Sequence, residues 1–291
     1  YYIERMMTEF VELRGDRQSG EDRAVVGGIG RLEGRTVLVV ALERGNELDR
    51  GERRNGRATP AGYRKALRVM RLAGQLRLPL LTFIDTPGAW LDSETDSSGL
   101  APSIAACLAT MSALPVPTIA AVIGEGGSGG ALALGVADRI LMQENAVYSV
   151  IGPEGAAAIV FRDADLAPEV ATSLKLTATD CSKLGVVDTV VPEPGGGASS
   201  EPHQAVVVLQ SMVLDALVEL RKRSPDALVE ERNRKFRQMG QRTIQVRRSR
   251  PAVGEWLRLP VPAAAWLPRS LDLLRRRSKR TTIPAGEMAR G

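Results

Sequence analysis

Polar, Gly- or Pro-marked stretches alternate with short apolar runs along the chain, and the spacing inside those runs predicts its elements. Tyr1 to Leu13 reads as a short helix. Ala24 to Glu43 reads as a hairpin, AVVGGIGRL and TVLVVALE joined at Glu33-Gly34. Residues 44–59 are polar and Gly-rich, a loop. Pro60 then opens a helix through YRKALRVMRLAGQL, in which Ala66, Val69, Met70 and Ala73 recur at three- and four-residue spacing and make one face apolar.

Beyond this helix one plan repeats: strand, Gly-containing turn, helix. LPLLTFI leads through DTPG and a polar loop to SIAACLATMSAL; VPTIAAVI through GEGGSGG to ALALGVA; AVYSVI through GPEG to AAAIVF. RILMQE is strand-like, and VVDTVV is a further strand. Short apolar strands separated by helices imply buried, largely parallel β-structure, an α/β fold. After the linker PEPGGGASSEP come a long apolar helix, AVVVLQSMVLDALVELRK, and a charged helix with Ser224 as N-cap and Pro225 in its first turn, ending near Gly240.

Composition narrows the classes. With 291 residues, 44% of them hydrophobic, the chain can bury a real core, and disorder along most of its length is excluded. Only 4% are aromatic while 29 are Gly, which favours close packing through small residues over a β-sandwich. No uninterrupted run of 18 apolar residues occurs, so no membrane span is expected. The net charge of +5 is unevenly placed: residues 247–291 hold eleven Arg/Lys against three Asp/Glu, leaving 28 basic and 31 acidic groups in the rest. The body is mildly acidic, so its charge does not point to nucleic acid. A body at 1–240 and a solvated, partly disordered basic extension at 241–291 are expected. Cys107 and Cys181 cannot build a disulfide framework or a four-thiolate zinc site. With no basic-then-apolar leader in view, a reducing, cytoplasmic setting is the expectation.

GEGGSGG, residues 124–130, carries the most chemistry. It follows a strand and opens a helix, with Ser128 as the expected N-cap. The amides of Gly129, Gly130 and Ala131 then point out of the helix start, where negative charge is stabilised and bare glycines let an oxyanion approach. The competing reading is that these glycines only allow tight helix-strand packing. Gly124-x-Gly126-x-x-Gly129 also satisfies the dinucleotide fingerprint, with Glu144 twenty residues on, although its helix is short. A phosphate-binding P-loop fails for want of Gly-Lys-Ser/Thr. Ser128 as a nucleophile needs a base, and the only histidine, His203, follows a Gly/Pro-rich linker. In DTPG, Asp85 is expected to accept turn amides, leaving those of Gly88 and Ala89 available. GPEG, residues 152–155, repeats the pattern, with Glu154 a first-turn charge. No chemistry is expected of Cys181, and no metal cluster is expected.

GYRKALRVMRLA, LLTFIDTPGAW, VIGEGGSGGALALGVADRILM, YSVIGPEGAAAIV and KLGVVDTVVPEPGGGA, in this order across about residues 1–240, resemble the alpha subunit of the bacterial and plastid type of acetyl-CoA carboxylase carboxyltransferase. That resemblance implies a crotonase-like fold, a spiral of repeated ββα units, and transfer of a carboxyl group from carboxybiotin, carried on a separate carrier protein, to acetyl-CoA, giving malonyl-CoA. It implies that Gly129 and Gly130 supply the amide pair for the biotin carbonyl, with Gly126, Gly127, Ala131, Gly88, Ala89 and Gly155 around substrate and cofactor. It also implies a beta subunit bearing the four-cysteine zinc ribbon, a biotin carboxyl carrier protein and a biotin carboxylase as partners. Three features depart from the family pattern: WLDSETDSSG, with Asp92, Glu94 and Asp96, stands where a Gly-rich segment is usual; Leu100-Ala101-Pro102 replaces a small-polar helix start; and Gly152 replaces the Ser of S-P-E-G. The tail with Trp256, Trp266 and RRRSKR matches nothing in the family. The alternatives are a dinucleotide-binding oxidoreductase, a carboxyltransferase for another acyl-CoA, and a scaffolding subunit.

Overall fold

The computed structural model describes residues 1–18, 20–93 and 97–240; the expected basic extension, and Glu94 and Asp96 of the acidic loop, lie outside the described residues. Tyr1–Gly240 forms a compact unit. It opens on a single helical turn, α1 (Tyr2–Met6), followed by strand β1 (Met7–Glu12), not the helix expected as far as Leu13. The cause lies in β2 (Val25–Leu32), which β1 pairs antiparallel from Met7 opposite Leu32 to Glu12 opposite Gly28, with a bulge between Thr8 and Val11. Phe10 lies across β2, and a Cβ on Gly28 would sit 2.6 Å from its Cζ. Those strand glycines thus allow a close approach of the neighbouring strand, and tertiary pairing overrides the local helix signal.

The expected hairpin is present: β2 and β3 (Arg35–Leu42) pair antiparallel throughout, and Glu33 and Gly34 take φ of 47° and 73°, the left-handed pair that a tight hairpin turn requires. From β3 the sheet continues in parallel through β4 (Leu80–Thr86), β5 (Thr118–Gly127), β6 (Arg139–Gln143) and β8 (Thr189–Val191). The short strand β7 (Val147–Ser149) pairs with the far end of β5, Glu125 to Gly127, beyond the stretch Ile119 to Val122 that pairs β6. With helix α5 (Pro153–Phe161), β6 and β7 make one ββα unit.

Both faces of the parallel strands are covered, which is why their sequences read as continuous apolar runs. On one face α2 (Pro60–Leu76), α3 (Leu100–Ala113) and α4 (Ser128–Gly135) pack over Leu38, Val40, Leu80, Ile84, Ala120 and Val122. On the other, α1 and α8 (Pro202–Leu220) pack over Val39, Leu81, Phe83 and Ala121. By length and composition α8 could cross a membrane, yet its Val206, Leu209, Val213 and Leu217 belong to this core. Short helices α6 (Ala167–Leu174) and α7 (Ala178–Lys183) bridge α5 to β8.

The last described helix, α9 (Pro225–Gln238), is capped as expected, with the Ser224 side chain accepting from the Ala227 amide. Its Arg232 is buried and donates to both Asp138 oxygens at 2.9 Å and to the carbonyls of Met111, Leu114 and Val116 at 2.6, 2.9 and 3.1 Å. Asp138 in turn accepts from the Thr118 amide at 2.8 Å. One guanidinium therefore ties α9 to the end of α3 and the starts of β5 and β6.

Candidate active site

Strand β5 passes into α4 without a loop. Gly127 is the N-cap, and the next residue, Ser128, takes a left-handed φ of 55°. The expected Ser128 cap is therefore absent: its side chain makes no capping hydrogen bond and is exposed. An N-cap carbonyl accepts the first helical bond from the fourth residue beyond it. Here that donor is Ala131, so its amide lies inside the helix ladder and its side chain in the core, contrary to expectation. The amides of Gly129 and Gly130 remain at the open, electropositive end of the helix.

Four of the five glycines in GEGGSGG have no room for a Cβ. On Gly124 it would meet the Asp85 carboxylate, on Gly126 the Tyr148 ring at 2.6 Å, and on Gly127 the Pro87 carbonyl. On Gly130 it would lie 2.7 Å from the Ala89 nitrogen and 2.8 Å from the Tyr63 hydroxyl oxygen. Only Gly129 faces space, its nearest neighbour being Ile104 Cγ2 at 3.9 Å. The packing reading thus accounts for Gly124, Gly126, Gly127 and Gly130. It also removes the dinucleotide reading: the face of Gly126 that a pyrophosphate would approach is filled by Tyr148, and α4 has only 8 residues.

The DTPG turn lies against this elbow. Asp85 does not hold the turn; it accepts from the Glu125 amide at 3.0 Å, while Arg44 pairs with both Asp85 and Glu125. Thr86 takes the expected role instead, its hydroxyl donating to the Gly88 carbonyl at 2.7 Å and accepting from the Gly88 amide at 3.1 Å. The Gly88 amide is therefore occupied, a correction to its expected availability. The Ala89 amide has no acceptor among the described residues, and it lies beside Gly130. Sequence reasoning missed Thr86, although a hydroxyl immediately before a Pro-Gly turn is a usable signal.

The other candidates separate. Gly155 sits in the first turn of α5 against Ile151, with Glu154 exposed beside it. Asp92 accepts from the Trp90 indole at 2.6 Å. Helix α3 begins earlier than expected, taking in Leu100 to Pro102, with Gly99 at φ 90° as its N-cap. His203 is exposed on the first turn of α8, across the sheet from α4, so it cannot serve Ser128 as a base. Burial pushes the Cys107 thiol up to about 12 and that of Cys181 up to about 11, which leaves both protonated at neutral pH. Among the described residues no group of three or more His, Cys, Asp or Glu could hold a metal.

A strand-to-helix elbow with open amides, faced by a second free amide from the neighbouring strand's turn, can hold an oxyanion without any charged side chain. The same fold occurs in solved structures. Transcarboxylase 12S, solved with methylmalonyl-coenzyme A and methylmalonic acid bound, superposes at TM-score 0.63 with 20% identity over 76% of this chain and 41% of that one. A Pseudomonas malonate decarboxylase hetero-tetramer in complex with coenzyme A superposes at 0.61 with 17% identity over 79% and 93%. The fold is thus that of the crotonase-like carboxyltransferases, as expected. Residues 1–240 match the acetyl co-enzyme A carboxylase carboxyltransferase-like family, and the chain belongs to it. The acetyl-coenzyme A carboxylase carboxyl transferase subunit alpha of Methylobacterium nodulans is 50% identical over 242 residues, 83% of this chain and 76% of that protein.

Proposed function

We propose that the chain is the alpha subunit of the carboxyltransferase in a cytoplasmic, biotin-dependent acetyl-CoA carboxylase, with the amides of Gly129 and Gly130 as its anion-holding donors and that of Ala89 as a third. One observation carries this reading: the start of α4 packs directly against the turn after β4, Gly130 beside Ala89, and the Ala89 amide has no acceptor among the described residues. These donors suit a ureido oxygen, which needs neutral hydrogen-bond donors and no cation. Carboxybiotin, when bound, supplies the carboxyl group, and its ureido oxygen gains negative charge as that group leaves.

The chain's own contribution is orientation and charge stabilisation. Donors fixed in a helix start and a Thr86-braced turn need not reorganise when charge develops, and each is worth on the order of 3 kcal/mol in the transition state. Gly129 leaves the approach to them open. No proton transfer is assigned to Ser128, whose side chain is exposed and has no hydrogen-bond partner among the described residues. No residue of this chain is assigned the methyl proton of the thioester; the released biotin would supply the base for it, and the acyl-CoA would be held mainly by a zinc-ribbon beta subunit. The exposed Val150, Ile159 and Val160 on and beside α5 are consistent with a subunit that works in a complex. A biotin carboxyl carrier protein and a biotin carboxylase complete the set.

The test is reconstitution of the full chain with its beta subunit, followed by decarboxylation of malonyl-CoA in the presence of biocytin. Turnover should need both subunits and biocytin, and Gly129→Val should abolish it while the complex still assembles. Undiminished turnover in assembled Gly129→Val would refute the amide assignment. A saturable NAD(P) signal would reopen the oxidoreductase reading.

A further inference from the structure

Among the arginines of the loop after β3, Arg44 pairs with Asp85 and Glu125, Arg53 with Glu43 and Asp49, and Arg54 with Asp22, while Arg50 is exposed to solvent. Arg57 is the exception. It is half-buried, and its guanidinium has no hydrogen-bond or ion-pair partner among the described residues. Water reaches such a group only in part, so a cation there is disfavoured unless a ligand supplies the anion.

The backbone on both sides of Arg57 is fixed to the DTPG turn. Before it, Arg54, Asn55 and Gly56 take φ of 48°, 53° and 78°, a left-handed run that residues with a Cβ avoid. A Cβ on Gly56 would lie 2.6 Å from the Asp85 carbonyl oxygen. After it, the Ala58 carbonyl accepts from the Trp90 amide at 2.9 Å. The Arg57 Nη1 lies 3.9 Å from the point where a Cβ on Gly88 would sit, and the Gly127 carbonyl oxygen lies 3.8 Å from that point. Ordinary bond lengths along Gly88 then put this nitrogen within about 7 Å of the Ala89 amide. The space beside Gly88 is open and edged by an unpaired cation.

We propose that Arg57 binds the carboxylate that the reaction moves, the free carboxylate of malonyl-CoA, and makes this site prefer a carboxylated acyl-CoA to an uncarboxylated one. This rests on reading the Gly129, Gly130 and Ala89 amides as the anion-holding donors. The ureido nitrogen that exchanges the carboxyl group is two bonds from the oxygen those amides hold, so the moving carboxylate has to come within a few ångströms of them, the range at which Arg57 stands. Neutral amides suit the ureido oxygen, whereas the planar guanidinium fork matches a carboxylate. The contact is made with a charge already present in the bound substrate, so its loss falls on KM and not on kcat.

The experiment compares Arg57→Met and Arg57→Lys with the parent chain, each assembled with the beta subunit, in decarboxylation of malonyl-CoA with biocytin and with acetyl-CoA as a competing inhibitor. Arg57→Met should raise KM for malonyl-CoA by about tenfold or more, leave kcat within about threefold, and leave the inhibition constant of acetyl-CoA, which lacks the carboxylate, within about twofold. Arg57→Lys keeps the charge and should recover part of the loss. Both variants should melt with the parent, since no ion pair within the described body is removed. A KM within about twofold of the parent in Arg57→Met overturns the proposal, as does an equal weakening of malonyl-CoA and acetyl-CoA, the pattern of a residue that only packs the loop. Gly129→Val keeps the two readings apart. If it is inactive while Arg57→Met keeps the parent KM, only the arginine assignment is wrong; if Gly129→Val is fully active, the amide assignment has failed and this proposal with it.

Discussion

Arg232→Met should be among the most destabilising single changes in the described body. The guanidinium is buried and makes five hydrogen bonds, two to Asp138 and three to main-chain carbonyls at the end of α3 and just beyond it. Methionine can fill much of the volume but donates nothing. Asp138 would keep the Thr118 amide and hydroxyl, at 2.8 and 2.9 Å, while losing its buried cationic partner. Breaking a buried ion pair from one side costs about 3–5 kcal/mol, the orphaned charge being the main term. The stranded carbonyls push toward the upper end of that range, because each lost partner costs about 1 kcal/mol or more. For a body of this size, about 2–4 °C is lost per kcal/mol, so the melting temperature should fall by about 10 °C or more. Differential scanning calorimetry of parent and variant, at one pH and salt, measures this directly. Adding Asp138→Asn should recover part of the loss, because the second change removes the unpaired charge. A single-variant loss below about 1 kcal/mol would refute the view that α9 is locked through this residue.

Three further outcomes follow from the site and its surroundings. Ser128→Gly should raise stability by a few tenths to about 1 kcal/mol, since glycine takes the left-handed φ of 55° without strain, and should keep turnover; a large loss of turnover would show that the hydroxyl has a chemical role. Because burial raises the Cys107 and Cys181 thiols to about 12 and about 11, the unfolded chain loses these protons first, so their contribution to stability is present below about 9 and is lost as pH rises toward 12; Cys107→Ala with Cys181→Ala should flatten that alkaline slope in chemical denaturation, and an unchanged slope would contradict the assignment. Deleting residues 247–291 should preserve a single cooperative thermal transition, and loss of that transition would place Trp256 and Trp266 in the core.

Local pattern was enough for the hairpin, α2 and the strand-turn-helix repeats, since each is written in the periodicity and turn chemistry of adjacent residues. It was not enough where distant residues decide. The glycines of β2 make sense only under Phe10, and the first strand was misread as helix for that reason. Ser128 carries the composition of an N-cap, yet the close approach of Pro87 to Gly127 turns the chain one residue earlier. Asp85 looks like a turn acceptor but is drawn away by Arg44 and the Glu125 amide, leaving Thr86 to hold the turn. The loop glycines were legible as a candidate site, but which of them faces open space depends on Tyr148, Asp85, Pro87 and Tyr63, which no spacing along the chain reveals.

Strand β5 changes neighbours along its length, gripped by β6 over its first half, by β7 near its end and by β4 as far as Gly126, just before the chain turns into α4. Mechanically, this makes the elbow a stiff joint: displacing Gly129 and Gly130 would strain the parallel ladders to β4 and β7 that end just before it. Adaptation to a bulkier acyl group or a shifted cofactor has to come from parts outside that joint, such as the exposed side of α5. Efforts to alter substrate range should therefore be aimed at those segments, with the donor geometry left as a constant.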